Sequence, residues 1–207
     1  MVGNMPDTGL SLLGQLRRQA GAPQGLIGRL LGYIMTWHNH RDCAWTIQCL
    51  AVKPGDQVLE VGFGPGHGIK MLARQDTEIN VTGIDHSRDM LHMAARRNHR
   101  AVRDGRVQLG LGSVMQLPFA DNTFDKAMSI NCIYFWDDPV HGLRELYHVL
   151  RRGGCLAVTV RDRNRPAYTR FNAEELERMF KQAGFSQISV KRNEGIRKPA
   201  LCVTGYK

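Results

Sequence analysis

Between Val58 and Gly68 the chain reads Val-Leu-Glu-Val-Gly-Phe-Gly-Pro-Gly-His-Gly, an apolar run closed by an acid and followed by glycine at alternate positions before a helical pattern begins. Glycine adopts positive φ easily and lets main chain come close to a neighbour, so Gly62, Gly64, Gly66 and Gly68 describe a strand-to-helix turn bent under a small molecule. The dinucleotide fingerprint places glycines at relative positions one, three and six, with a pyrophosphate resting on the helix N-terminus. Counted from Gly62, Gly64 or Gly66, the sixth position is His67, Ile69 or Met71, so that register fails in each frame. A P-loop fails too, because no Gly-Lys-Ser/Thr follows. What is left is a Glu-x-Gly-x-Gly-x-Gly turn, with Glu60 at the strand end where it can meet a cationic or hydroxylated ligand.

Val81-Thr-Gly-Ile-Asp85 reads as a second strand ending in a carboxylate, 19 residues beyond Gly66, the distance at which such folds set an acid on ribose hydroxyls. Further on come Gly112-Ser-Val-Met-Gln-Leu-Pro-Phe119, Phe124-Asp-Lys-Ala-Met-Ser-Ile130, and Leu143 to Gly154, a helical run closed by a glycine pair. In this order and spacing, from about residue 55 to 160, the blocks resemble the class I, Rossmann-like methyltransferases that use S-adenosylmethionine (SAM). The first turn resembles their motif I, the second block their adenine-binding turn, the third their fourth strand and the last the helix before strand five. Within that superfamily the chain is similar to the small-molecule and quinone-biosynthesis enzymes.

The resemblance implies SAM as methyl donor, S-adenosylhomocysteine as product and no metal. It implies that Gly62, Phe63, Gly64 and Gly66 face the methionine and ribose part of SAM beside Glu60, that Asp85 accepts from the ribose, and that His86 or Met90 flanks adenine. Gly112, Ser113 and Val114 fall at the adenine turn, with Ser113 where many relatives carry an acid, which leaves that contact to its hydroxyl or to main chain. Asn131 follows the fourth strand and is placed against the methionine moiety. Tyr134 and Asp137 stand where relatives put acceptor-facing groups, Tyr134 offering a hydroxyl and an aromatic face. Phe135 and Trp136 read equally well as packing aromatics at a helix entry, with Asp137 or Asp138 as its cap.

The chain has 207 residues and 43% hydrophobic content, enough for one domain with a full core. Strands and helices alternate after residue 56, the pattern of a doubly wound, mostly parallel sheet with helices on both faces. The expected strands are 57–61, 79–84, 106–110, 124–130 and 154–161, and the expected helices 67–75, 88–100, 139–151 and 172–183, with Ser87 or Asp85 capping the second. Phe185–Lys191 and Leu201–Gly205 alternate and would finish the sheet as an antiparallel pair, as in the family. Residues 1–54 carry helical apolar spacing over 10–16 and 26–37, broken at Gly21–Gly25, and are expected to form a helical lid over residues 55–207. Tyr33, Trp37 and Asn39 belong to that lid.

No apolar run approaches a membrane span and no signal segment is evident, so a soluble, cytoplasmic protein is expected, with peripheral membrane contact left open. Five cysteines without a Cys-x-x-Cys pair point to reduced core residues. His38, His40 and Cys43 do not share a helical face and lack a fourth ligand, which argues against metal. His67 either contacts the ligand or faces solvent, with solvent favoured, and His141 and His148 are expected on the surface. The net charge is +9, concentrated at residues 86–106, 151–170 and 181–207. No aromatic-interleaved nucleic-acid motif accompanies it, so nucleic acid is an unlikely acceptor.

Methyl transfer is an in-line displacement that chiefly needs alignment and exclusion of water, so the lack of a catalytic triad does not count against it. The expected acceptor is a small or amphipathic, lipid-like molecule methylated on N, O or C, its charged part held by a basic face that includes Arg161, Arg163 and Arg165. The alternatives are a peripheral-membrane methyltransferase of lipid amine headgroups, a nicotinamide-dependent oxidoreductase, and a non-catalytic SAM-fold scaffold.

Overall fold

Side chains alternate across each strand, and here both faces are apolar. Leu59 and Val61 of β1 (Gln57–Val61) join one core layer and Val58 the other; Leu156, Val158 and Val160 of β5 (Leu150–Arg161) are split in the same way from Cys155 and Ala157. A sheet buried on both sides needs helices on both sides. In this computed structural model, which describes residues 40–161, 170–193 and 199–207, α1 (residues 40–50), α2 (His67–Gln75) and α3 (Arg88–Arg97) cover one face. The other is covered by α5 (Pro139–Val149) and α6 (Ala173–Ala183), which follow a short α4 (His99–Arg103).

The remaining strands are β2 (Asn80–Asp85), β3 (Val107–Leu111), β4 (Phe124–Ile130), β6 (Ser186–Asn193) and β7 (Ala200–Tyr206), in the sheet order β3-β2-β1-β4-β5-β7-β6. All neighbours from β3 to β5 run parallel, and β7 runs antiparallel to both β5 and β6. The order in which strands are added reverses between β1 and β4, so the crevice at the strands' carboxyl ends opens there.

Local chemistry sets the helix ends. Ser87 caps α3, Asp138 caps α5 ahead of Pro139, and Asn172 caps α6 above Glu174 and Glu175 in its first turn. Left-handed Gly184 closes α6. Phe180 on that helix is wholly buried, and truncating such a side chain to alanine costs about 3–5 kcal/mol.

Several boundaries differ from the sequence pattern, among them the start of β5 at Leu150, ahead of the expected 154. The helix expected over 88–100 is broken at Asn98, whose side-chain amide donates to the carbonyls of Ala94 (2.9 Å) and Gly66 (3.1 Å). The helix expected over 139–151 ends at Val149, because Leu150 already pairs with Phe124 and the ladder then shifts register before Lys126 meets Cys155. The C-terminal strands form the expected antiparallel pair but are longer, reaching Asn193 and Tyr206. The helices expected before residue 39, and Tyr33, Trp37, His38, Asn39, Arg163 and Arg165, lie outside the described residues.

Candidate functional site

The turn after β1 is built by fitting glycine against particular neighbours. Gly62 has φ 73°, and a side chain there would run into Cys132. At Gly66 a Cβ would meet Ala94 and Asn98, and at Gly68 it would lie 2.5 Å from the carboxylate of Glu60. Gly64 differs: its φ is 52°, and nothing lies within 4 Å of where its Cβ would be. That bare stretch of main chain faces open space and needs glycine's freedom at positive φ.

Asp85 holds the turn from the end of β2. Its two carboxylate oxygens accept from the Gly64 N–H at 2.8 Å and the Ser87 N–H at 2.9 Å. The group is 7% exposed; burial raises its pKa, and the Ser87 and Gly64 amides oppose that rise. A cleft of about 270 Å³ opens beside it, lined by Gly62, Asp85, His86, Gly112, Ser113 and Val114 together with Asp137. These expected site residues, from four separate stretches of sequence, are therefore brought together.

Others sit elsewhere. Glu60 shares a face with Val58 and lies beneath the start of α2, wholly buried, its Oε2 without a hydrogen-bond partner among the described residues. Burial, then the nearby Asp85 charge, pushes it up to about 8. Phe63 and Met90 are core residues, 4% and 2% exposed. Asn131 follows β4 with φ 53°, a left-handed conformation uncommon outside glycine, and its amide donates to Asp42 on α1 at 2.9 Å. The Tyr134 hydroxyl accepts from the Arg161 N–H at 2.6 Å while its ring packs edge-on against Phe171. Trp136 is buried, Phe135 is 41% exposed at the cleft, and Asp138 rather than Asp137 is the helix cap.

One expectation is overturned and two are qualified. Arg161 is not part of a basic surface: it is 9% exposed and pairs with Asp42 at 2.9 Å, because β5 carries it under α1. His67 is only partly exposed and packs on His40 with ring centroids 4.8 Å apart, and burial followed by the His40 charge lowers its pKa. His141 is half-buried, its Nε2 3.0 Å from the Met115 carbonyl.

The chain and its fold resemble a broad group of known proteins. Residues 59–158 match the methyltransferase domain family model. The uncharacterized methyltransferase YdaC of Bacillus subtilis is 33% identical over 181 residues, covering 86% of this chain and 98% of that protein. The chain belongs to the SAM-dependent methyltransferases.

Rice 2-methyl-6-phytyl-1,4-hydroquinone methyltransferase 2 is 32% identical over 76% of the methyltransferase described here, which spans 51% of that longer relative. The fold is shared with phosphoethanolamine N-methyltransferase 2 of Haemonchus contortus in complex with SAM, with a TM-score of 0.69 at 18% identity over 81% of this chain and 52% of that one.

The residues present fit such a donor. An open main-chain face at Gly64, a buried carboxylate at Asp85 and an unpartnered acid oxygen at Glu60 offer contacts to a molecule carrying hydroxyl and ammonium groups. Among the described residues no cluster of His, Cys, Asp or Glu could hold a metal ion, and no helix is long and apolar enough to cross a membrane.

Sequence reasoning gathered the segment after β4 around the crevice but missed Met115 as cleft lining, and Asp42 altogether. Cys132, which follows Asn131 directly, lines the cleft with Phe135. Burial pushes its thiol up to about 12, so it serves as apolar wall, not nucleophile. Asp42 had no local signal, since its partners lie 89 and 119 positions away along the chain (131 − 42 and 161 − 42).

Proposed function

We propose that this methyltransferase acts on a small amphipathic acceptor with an apolar or aromatic body, transferring the methyl group in line to a nucleophilic N, O or C. When bound, SAM supplies a methyl group activated by a sulfonium. The chain's own residues do the rest. Main chain from Gly62 to Gly64 lies against the methionine and ribose portion, Asp85 accepts from ribose hydroxyls with the lone pairs left by its two loop contacts, and His86, Gly112, Ser113 and Val114 bound the adenine side. Asn131 borders the methionine portion, and Glu60, from below, receives its ammonium. Tyr134 and Asp137 face the acceptor side, Asp137 being the exposed carboxylate able to take a proton where the acceptor must lose one. Alignment of this kind is worth roughly 7–11 kcal/mol in well-oriented systems.

One observation carries the acceptor class: the described mouth of the cleft presents the exposed ring of Phe135 with Met115 and Trp136, while the buried cation Arg161 is committed to Asp42. An apolar body is favoured there over a phosphate-bearing headgroup. The test is a screen with SAM labelled in its methyl group, offering prenylated hydroquinols and other aromatic amphiphiles beside phosphoethanolamine. Label is expected in the aromatic amphiphiles, with turnover reduced at least about tenfold by Phe135→Ser, the order expected when a central aromatic contact is removed. Transfer to phosphoethanolamine alone would overturn the acceptor class.

A further inference from the structure

Helix α1 is joined to the sheet by polar contacts of an unusual kind. Asp42, 3% exposed, receives the Arg161 guanidinium on the same carboxylate oxygen, Oδ2, that accepts the Asn131 amide, each at 2.9 Å. The Arg161 N–H donates in turn to the Tyr134 hydroxyl at 2.6 Å. A turn further along, Thr46 bonds to Thr159 on β5 at 2.6 Å. A buried ion pair is weak evidence for stability, since desolvation offsets much of its attraction, and its better attested role is to fix one arrangement among several. The arrangement fixed here is that of Asn131, a non-glycine residue at φ 53° that follows β4 and directly precedes the cleft residue Cys132.

We propose that Asp42 and Arg161 are positioning residues for SAM binding: through the Asp42–Asn131 bond, α1 holds Asn131 in its left-handed conformation and so shapes the wall against the methionine portion. This rests on the reading that Asn131 borders SAM. Left-handed backbone costs an ordinary residue strain that surrounding contacts must over-determine, and Asp42 supplies the side-chain contact beside the bond from the Asn131 N–H to the Thr159 carbonyl. Arg161 neutralises Asp42 and leaves its acceptor oxygen aimed at Asn131. Tyr134, tied to the same strand end, puts the acceptor side in register with the donor side.

The test is titration calorimetry with S-adenosylhomocysteine, with melting temperature as a second readout, on the full chain. Asp42→Asn is expected to weaken binding about tenfold, within the range found for residues coupled in one hydrogen-bonded network, and Arg161→Lys to weaken it less because the charge is kept. Thr46→Val removes hydroxyl bonds of the same helix, to the Asp42 carbonyl and to Thr159, and leaves the Asp42 carboxylate and the Asn131 side-chain amide untouched, so it should lower the melting temperature with affinity within twofold of the parent. Asn131→Ala should weaken binding at least as much as Asp42→Asn, and the double variant no further. If Asp42→Asn fails to fold, Arg161→Lys against Thr46→Val decides the matter. Binding by Asp42→Asn or Arg161→Lys within twofold of the parent, while Asn131→Ala is weakened, would overturn the clasp alone. Equal weakening by Thr46→Val would do the same, marking a general loosening of α1. Undiminished binding by Asn131→Ala would remove the reading on which the clasp rests.

Discussion

Glu60 ends a strand in a place where a carboxylate is hardest to keep charged. Burial holds its proton up to about pH 8, against an ordinary value of 4.5, so the folded chain binds that proton more tightly than the unfolded chain. A group raised in this sense contributes stability that is whole below about 4.5 and is lost as pH climbs through about 8. Glu60→Gln, which mimics the neutral acid, is therefore expected to melt like the parent at pH 5 and above it at pH 9; melting curves that fall in parallel would contradict the assignment. Gly64 gives the complementary test. An alanine there meets no protein atom but must adopt φ 52°, at a cost of roughly 1–2 kcal/mol, and its methyl projects into open space. Gly64→Ala should fold with a modest loss of melting temperature and lose affinity for S-adenosylhomocysteine out of proportion to that loss. Both residues were legible in sequence as motif members, but their placement was not: alternate glycines look alike on paper, and only packing separates Gly64, facing open space, from Gly68, pressed on Glu60.

Elements were legible where pattern and cap agreed. Ser87 before α3 and Asp138-Pro139 before α5 mark helix starts by chemistry that sequence displays directly. The break at Asn98 was not legible, because asparagine inside a helical pattern is tolerable by propensity and its reason lies elsewhere: its amide spans from the Ala94 carbonyl to the Gly66 carbonyl. That places a helix end under the glycine turn. Asn98→Ala should cost about 1–3 kcal/mol, the penalty of stranding buried carbonyls, and should loosen the turn, so that amide exchange at Gly64 and Gly66 quickens. Exchange unchanged there would mean that Asn98 serves only its own helix. The early end of α5 was hidden for a similar reason, since Leu150 is claimed by Phe124 through strand pairing that local spacing does not display.

Across the whole molecule, the crevice gathers groups from the ends of β1, β2, β3 and β4, so its existence follows once the parallel order is known. The alternation of strands and helices made the parallel arrangement readable, while the strand order came from the fold. Long-range polar pairing stayed unreadable: Arg161 looked like one cation among many in a chain of net charge +9, and only the fold brings it under Asp42. Charge counts describe surfaces poorly when a cation is buried. The central claim is that the Gly62–Gly66 turn and the carboxylate of Asp85 together bind SAM. Titration calorimetry of the parent protein and Asp85→Ala with S-adenosylhomocysteine tests it most directly. The account predicts saturable binding by the parent, weakened at least about tenfold in the variant, as loss of a charge-assisted hydrogen bond demands; no heat from the parent, or equal affinity in both, would contradict it.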